Sequence, residues 1–385
     1  MNVAVIGGKL QGLEACYLAG KAGWHSTLID TRRNVPAYNL CDSFLQLNIQ
    51  EWRDHLPDLS GMDILIPALE DESALRAIQE LSQKQGVPCL FDHRAYSLSS
   101  SKRRSYDLMA GIGIPIPQKW PESGFPLIIK PDGQSGSKGV HIHTHPGPQL
   151  DEALQDQNII AEEYVSGPLY SLEVLGVPGS YETIQVTDLV LDRMYDCKRV
   201  MAPSRLDGKS RADFADQAIR IARALQLHGV MDVEAIFHEG RLITIEIDAR
   251  LPSQTPTAVY WSCGCNILEQ GVCAFLDGRA PGRSKVPERY VIYEHIDIQD
   301  TYLSFCGEHC IARSRDLRLV ADFMGADEAI TNVHIDPANW VATLIFTGAT
   351  RDELNQKRAR FYTNLLDTFS LSTGEQEDIY DPAQT

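Results

Sequence analysis

Between residues 230 and 250 the chain alternates. In Val230-Met231-Asp232-Val233-Glu234-Ala235-Ile236, and again in Ile245-Glu246-Ile247-Asp248-Ala249-Arg250, apolar residues take turns with charged ones until Pro252 stops the second run. A period of two marks a half-buried strand, with one face in a core and the other turned to water. The outward faces carry Asp232 and Glu234 on one strand and Glu246, Asp248 and Arg250 on the other. Two neighbouring strands of this kind would gather carboxylates in one place. A solvated sheet face is the bland explanation of such a pattern, and a site that needs clustered acids is the functional one.

The pattern changes period along the rest of the chain. Residues 1–92 read as strand, helix, strand: VAVIGG, LQGLEACYLAGKAG, STLID, SFLQLNI, MDILIPAL, a helix through SALRAIQELSQKQG, then PCLFD. That rhythm predicts a parallel doubly wound sheet. Gly7, Gly8 and Gly12 follow the first strand, and Asp30 ends the second, a position where a ribose hydroxyl is often held. The spacing is G-G-x-x-x-G, which departs from the dinucleotide fingerprint. It argues for a sheet kept for packing and for a small ligand at its carboxyl edge, ahead of a NAD site.

After Ser99-Ser100-Ser101 a helix runs into GIGIPIP at 111–117. Next comes an apolar strand ending in Lys130, and the small-residue turn Asp132-Gly133-Gln134-Ser135-Gly136-Ser137-Lys138-Gly139. Such a turn is either a plain hairpin loop or a flap whose backbone N–H groups close over phosphates. The strand IIAEEYV at 159–165 follows, then a helix from about 210 to 226 and the acidic strands. From about 284 a third region carries VPERYVIYEHIDI, WVATLIFTGAT and a closing helix through RDELNQKRARFYTNLLDTF. The expected division is 1–92, 93–283 and 284–373, with 374–385 as a fraying, weakly apolar tail.

Composition narrows the chemistry. The 385 residues exceed what one core usually holds. Lys and Arg number 35 against 52 Asp and Glu, a net charge of −17, which argues against a nucleic-acid partner. No apolar run is long enough to span a membrane, and a cytoplasmic location is the expectation. Nine cysteines lack a repeated zinc-type spacing and are read as mostly reduced thiols. His141, His143 and His145 share one strand face without a matching acid set, so they are not read as metal ligands.

In this order, the pieces resemble the ATP-grasp superfamily of carboxylate–amine ligases. They are most similar to the pyrrolysine-biosynthesis ligases, which join 3-methyl-D-ornithine to L-lysine. The likeness covers nearly the whole chain and is carried by GGKLQG at 7–12, MDVEAI at 231–236, EIDARLPSQTPTAVYWS at 246–262 and IYEH at 292–295. It implies an α/β ATP-grasp fold with an N-terminal Rossmann-like domain and a C-terminal α+β region. It also implies ATP and Mg2+ as cofactors, with two ions and Mn2+ as a substitute.

By the same resemblance Glu234, Glu246 and Asp248 are metal ligands, Asp248 standing where an asparagine is usual, and Arg250 contacts the transferred phosphoryl group. An ion pair with one of the acids is the structural alternative for Arg250. Lys102, Lys130 and the flap residues Ser135, Gly136 and Ser137 would face the nucleotide phosphates. Glu162, Glu163, Tyr164 and Val165 would form the adenine hinge, with Leu169 in place of the usual ribose-binding glutamate. Asp30 is a candidate for a second nucleotide. For the substrates the candidates are Ser171, Glu173, Asp232, Ser253, Gln254, Thr255 and Glu294 on the methylornithine side. Leu10, Gln11, Glu70 and Asp71 are those on the lysine side. A ligase for another amino-acid pair and a noncatalytic nucleotide-binding protein are the alternative readings.

Overall fold

A computed structural model of the chain describes residues 1–133, 136, 139–278 and 287–374. Its leading sheet has four parallel strands in the order Ser43–Gln46, His25–Asp30, Asn2–Ile6, Ile64–Pro67. The run Val3-Ala4-Val5-Ile6 is buried throughout because both faces of this sheet are covered, as parallel sheets require. Val3 and Val5 pack with Leu13 and Leu18 of the helix Leu10–Lys21. Ala4 and Ile6 pack with Ile78 and Leu81 of the helix Glu72–Gln85 on the other side. The glycine turn serves this packing: a Cβ on Gly12 would lie 1.9 Å from the Gly7 carbonyl oxygen, and Gly7 itself has φ +104°. The strand expected at PCLFD contracts to one bridge, Leu65 with Cys89.

A small antiparallel sheet follows, in the order His141–His143, Leu127–Pro131, Ile159–Glu163. The remaining strands form one sheet of ten. Its path is Arg241–Asp248, Gly229–His238, Leu169–Val177, Ser180–Leu191, Cys197–Ala202, Tyr290–Gln299, Asn339–Gly348, Glu328–Thr331, Arg318–Ala321, with Tyr302–Phe305 paired to Tyr290–Gln299 off that path. Strands from both sides of residues 283 and 284 therefore share one sheet. The helix Gly208–Leu225 buries Phe214, Ala218, Ile221 and Leu225 against it. The closing helix Arg351–Phe369 buries Phe361, Tyr362 and Leu365.

The leading sheet does not stand apart. Its apolar residues join Ala258 and Val259 of the helix Thr255–Cys263 and Ile267, Leu268 and Val272 of the helix Ile267–Asp277 in one core. At this seam the Glu14 carboxylate, 1% exposed, accepts from the Gln254 N–H at 3.2 Å and from the Thr257 N–H and hydroxyl, both at 2.7 Å. One domain thus caps a helix N-terminus of another, which has no cap of its own from Gln254. Burial pushes the Glu14 carboxyl up to about 7 despite these three donors. Seven cysteines are thiols, in line with a mostly reduced set, and Cys306 and Cys310 are joined in a disulfide. Among the described residues no helix is long and apolar enough to cross a membrane.

Candidate active site

Register decides what the acidic strands do. Asp232 lies opposite Asp248 and Glu234 opposite Glu246. On the other flank Glu173 lies opposite Asp232 and Ser171 opposite Glu234. Directly opposed side chains on antiparallel strands share a face, and like charges so placed repel. The face therefore holds two stacked pairs of carboxylates. Burial first, and then the neighbouring acids, push Glu234 well above the usual carboxylate range. Asp248 is raised by burial as well, with Arg250 opposing the shift.

Cations meet this face from two directions. Lys102, at the first turn of the helix Lys102–Gly111, places Nζ 2.7 Å from Glu246 Oε1. Arg250 Nη2 lies 2.9 Å from Asp248 Oδ2 and 2.8 Å from Glu70 Oε1. Burial works against the Arg250 charge, but Asp248, Glu70 and Asp232 hold it firmly protonated. Glu70 also accepts from Gln11 Nε2 at 2.8 Å, so two of the leading-domain candidates reach the central face through Arg250. Among the described residues no three His, Cys, Asp or Glu side chains form a ready-made metal cage. The donor set nonetheless suits Mg2+, which takes hard oxygens, keeps waters and commonly binds through one or two carboxylates plus phosphate oxygens. Asp232 Oδ1, buried without a hydrogen-bond partner among the described residues, fits the same requirement for a cation.

A cavity of about 290 Å3 opens beside the acids, with Asp232, Glu234, Glu246 and Asp248 in its wall. Lys130 lines it too, its Nζ 2.7 Å from Glu162 Oε1 and 2.7 Å from Tyr106 Oη. Tyr106 was not a candidate, yet it sits one helical turn after Lys102 and fastens the lysine to the hinge strand, with Glu162 Oε1 at 3.0 Å and the Ile245 carbonyl at 2.9 Å. In the hinge, the Glu163 N–H donates to the Gln118 carbonyl at 2.8 Å and the Tyr164 N–H to that of Pro126 at 3.0 Å. The Val165 N–H has no backbone partner among the described residues, and Val165 lines the cavity. Gly136 of the flap also lines the cavity, whereas Ser135 and Ser137 lie outside the described residues. Ser171, Ser253, Gln254 and Thr255 complete the wall near Arg250.

Other candidates are engaged elsewhere. Asp30 accepts from the Gly8 N–H at 2.8 Å and the Arg32 N–H at 3.0 Å, which fixes the glycine turn. Asp71 caps the helix Glu72–Gln85 through the Ala74 N–H at 2.7 Å. Leu10 packs against the core. Glu173, with 0% exposure, stands behind Asp232 rather than in the cavity wall, and burial pushes it up to about 7.

Glu294 departs furthest from its expected ammonium-binding role. It is fully buried and accepts from Arg199 Nε at 2.7 Å, Arg358 Nε at 2.6 Å, Arg358 Nη2 at 2.8 Å and the Tyr362 hydroxyl at 2.7 Å. Burial would raise it, but the two guanidiniums hold it at about 2. Its oxygens are occupied by the protein's own donors, so it acts as a structural ion pair between the sheet and the closing helix.

Comparison with known proteins shows the family. An ATP-grasp domain model matches residues 99–254. The 3-methyl-D-ornithine–L-lysine ligase of Methanosarcina mazei is 35% identical, over 96% of this chain and 97% of that one. The ligase of the same name from Methanosarcina barkeri is 34% identical, over 96% and 98%. Among solved structures, the biotin carboxylase domain of the Hydrogenobacter thermophilus 2-oxoglutarate carboxylase, in complex with MgADP, ADP and bicarbonate, superposes with a TM-score of 0.71 at 16% identity, over 95% of this chain and 89% of that one. Identity of this extent across nearly the whole of both chains places the protein in the 3-methyl-D-ornithine–L-lysine ligase family of the ATP-grasp carboxylate–amine ligases.

Proposed function

We propose that the protein joins the carboxylate of (3R)-3-methyl-D-ornithine to the ε-amine of L-lysine, forming 3-methylornithyl-N6-lysine, ADP and phosphate. The observation that carries this reading is the meeting of two opposed carboxylate pairs with Lys102, Lys130 and Arg250 around one cavity. A carboxylate oxygen is a poor leaving group, so amide formation needs activation. Phosphoryl transfer from ATP gives an acylphosphate, which the amine attacks with loss of phosphate. Such transfer depends on positioning and charge neutralisation.

Glu234, Glu246 and Asp248 would hold two Mg2+ ions, for which Mn2+ substitutes; the metal supplies neutralisation of the phosphate charge. Lys130 and Lys102 neutralise phosphates, Lys102 exchanging its contact with Glu246 for one with the nucleotide. Glu162 and the Val165 N–H serve the adenine edge. The Arg250 fork suits the transferred phosphoryl group and the substrate carboxylate together. Asp232, Ser171, Ser253, Gln254 and Thr255 face the acyl donor, and Gln11 and Glu70 face lysine.

The test is ADP release by the full chain with ATP, Mg2+, L-lysine and 3-methyl-D-ornithine, and with each omitted in turn. Release that requires all four is expected. Release independent of either amino acid, or none at all, contradicts the reading. A ligase for a neighbouring diamino acid is distinguished by comparing D-ornithine, since one methyl group is worth only about 1 to 3 kcal/mol of selection.

A further inference from the structure

Glu14 is a buried carboxylate that the chemistry of the cavity leaves unused, and it faces the segment that carries Arg250, Ser253, Gln254 and Thr255. It sits on the helix Leu10–Lys21, one turn after Gln11, and is not part of the cavity wall. Its Oε2 accepts from the Gln254 N–H at 3.2 Å, and its Oε1 accepts from the Thr257 N–H and hydroxyl, each at 2.7 Å. At the other end of the segment Arg250 Nη2 meets Glu70 Oε1 at 2.8 Å, and the same Glu70 oxygen accepts from Gln11. The leading domain therefore fastens residues 250–257 at two points, through Glu70 at the start and Glu14 at the end.

Between those points the backbone is strained. Gln254 has φ +69° and ψ −59°, and across it the Thr255 N–H donates to the Ser253 carbonyl at 2.8 Å. This is the rare form of the γ-turn, centred on a residue whose Cβ disfavours it. Such a conformation persists only where the surroundings over-determine it. On the backbone side, the Gln254 N–H has Glu14 as its acceptor. On the side-chain side, Gln254 Nε2 donates to Glu308 Oε2 at 2.8 Å, and Gln254 Oε1 accepts from His295 Nε2 at 3.2 Å. Burial pushes His295 down to about 3, so the ring is neutral and its Nδ1 accepts from the Thr343 hydroxyl at 2.9 Å. The turn sets Gln254 in the cavity wall with Ser253 and Thr255 beside it. A return of Gln254 to negative φ would invert the turn and swing its N–H away from Glu14. Only a carboxylate suits this place, because it accepts on both oxygens. An amide would set its own NH2 against either the Gln254 N–H or the two Thr257 donors.

We infer that Glu14 is a positioning residue for acyl activation. It holds the strained turn that sets Arg250, Ser253 and Gln254 against the acyl donor, and it touches no substrate itself. The inference rests on the reading that this segment faces the acyl donor. Lys130 and Glu162, which serve the nucleotide, lie on the strands Leu127–Pro131 and Ile159–Glu163, away from the turn.

The experiment is ADP release by the full chain with ATP, Mg2+, L-lysine and varied 3-methyl-D-ornithine, read beside thermal unfolding. Wild type, Glu14→Gln, Thr257→Val, Gln254→Gly and the double variant Glu14→Gln with Gln254→Gly are compared. Glu14→Gln is expected to lower kcat/KM for the donor roughly 10- to 100-fold through misplacement of the turn, with the KM for ATP unchanged. Thr257→Val takes one donor from the same carboxylate but leaves the Gln254 contact. It should lower the unfolding midpoint and keep kcat/KM for the donor close to wild type. Gln254→Gly loses activity with its side chain, but glycine takes φ +69° without strain. In that background Glu14→Gln should therefore cost no more than about twofold. An equal loss in both backgrounds, a loss in Thr257→Val as large as in Glu14→Gln, or a KM for ATP that rises in parallel would overturn the inference. So would a Glu14→Gln chain that no longer folds, since it would mark a contact that only holds the domains together. Wild type that releases no ADP would contradict the proposed function itself, a separate outcome.

Discussion

Glu246→Gln is expected to abolish ADP formation while leaving the fold intact. The side chain keeps its size and loses the charge that a divalent cation requires. Loss of a partner outside the metal's own ligands typically costs about 10- to 100-fold in affinity or activity, and loss of a ligand should exceed that. The fold should tolerate the change because Glu246 faces Glu234 across the strand pair, and the repulsion relieved by neutralising one of two opposed acids offsets the lost ion pair with Lys102. ADP release read beside thermal unfolding separates the two effects: no turnover, with an unfolding midpoint close to wild type. Turnover that survives the change would remove Glu246 from the metal assignment and leave the opposed carboxylates without a purpose.

Glu294→Gln should show the opposite pattern, with a large effect on stability. Arg199, Arg358 and Glu294 all have 0% side-chain exposure. Removing the carboxylate that both guanidiniums address leaves buried positive charge, which costs about 3 to 5 kcal/mol. The pH dependence follows from the direction of the Glu294 shift, from 4.5 down to about 2. A lowered folded-state value means a contribution that is fully present above pH 4.5 and is lost as the pH falls toward 2. Wild-type stability should therefore decline through that window, and urea unfolding of Glu294→Gln should start lower and decline less steeply there. Equal midpoints for the two proteins at neutral pH would mean that the ion pair contributes nothing to the fold.

The contrast between these two acids shows where sequence reading works. Glu246 was legible because the pattern is local: a period of two puts it on one face with Asp248, and a second alternating run supplies Asp232 and Glu234. Pairing those runs, and pairing Glu234 with Glu246 in register, follows from packing the apolar faces. The closing helix, Arg351–Phe369, and the parallel order of the leading strands were legible for the same reason.

Glu294 was not, because its partners decide its role. Arg358 is 64 residues from Glu294, and nothing within the IYEH stretch separates an acid awaiting a ligand from one paired with arginine. Glu14 is 243 residues from Thr257, and its contact exists only because the helix Leu10–Lys21 packs against the helix Thr255–Cys263. Tyr106 had a local signal, since it follows Lys102 by one helical turn.

The most direct measurement is mass spectrometry of the product formed by the full chain with ATP, Mg2+, L-lysine and 3-methyl-D-ornithine. A single product is predicted, with the mass of the two amino acids less one water and fragments that place the new amide on N6 of lysine. ADP formed without that product, or an amide on the lysine α-amine, would contradict the account.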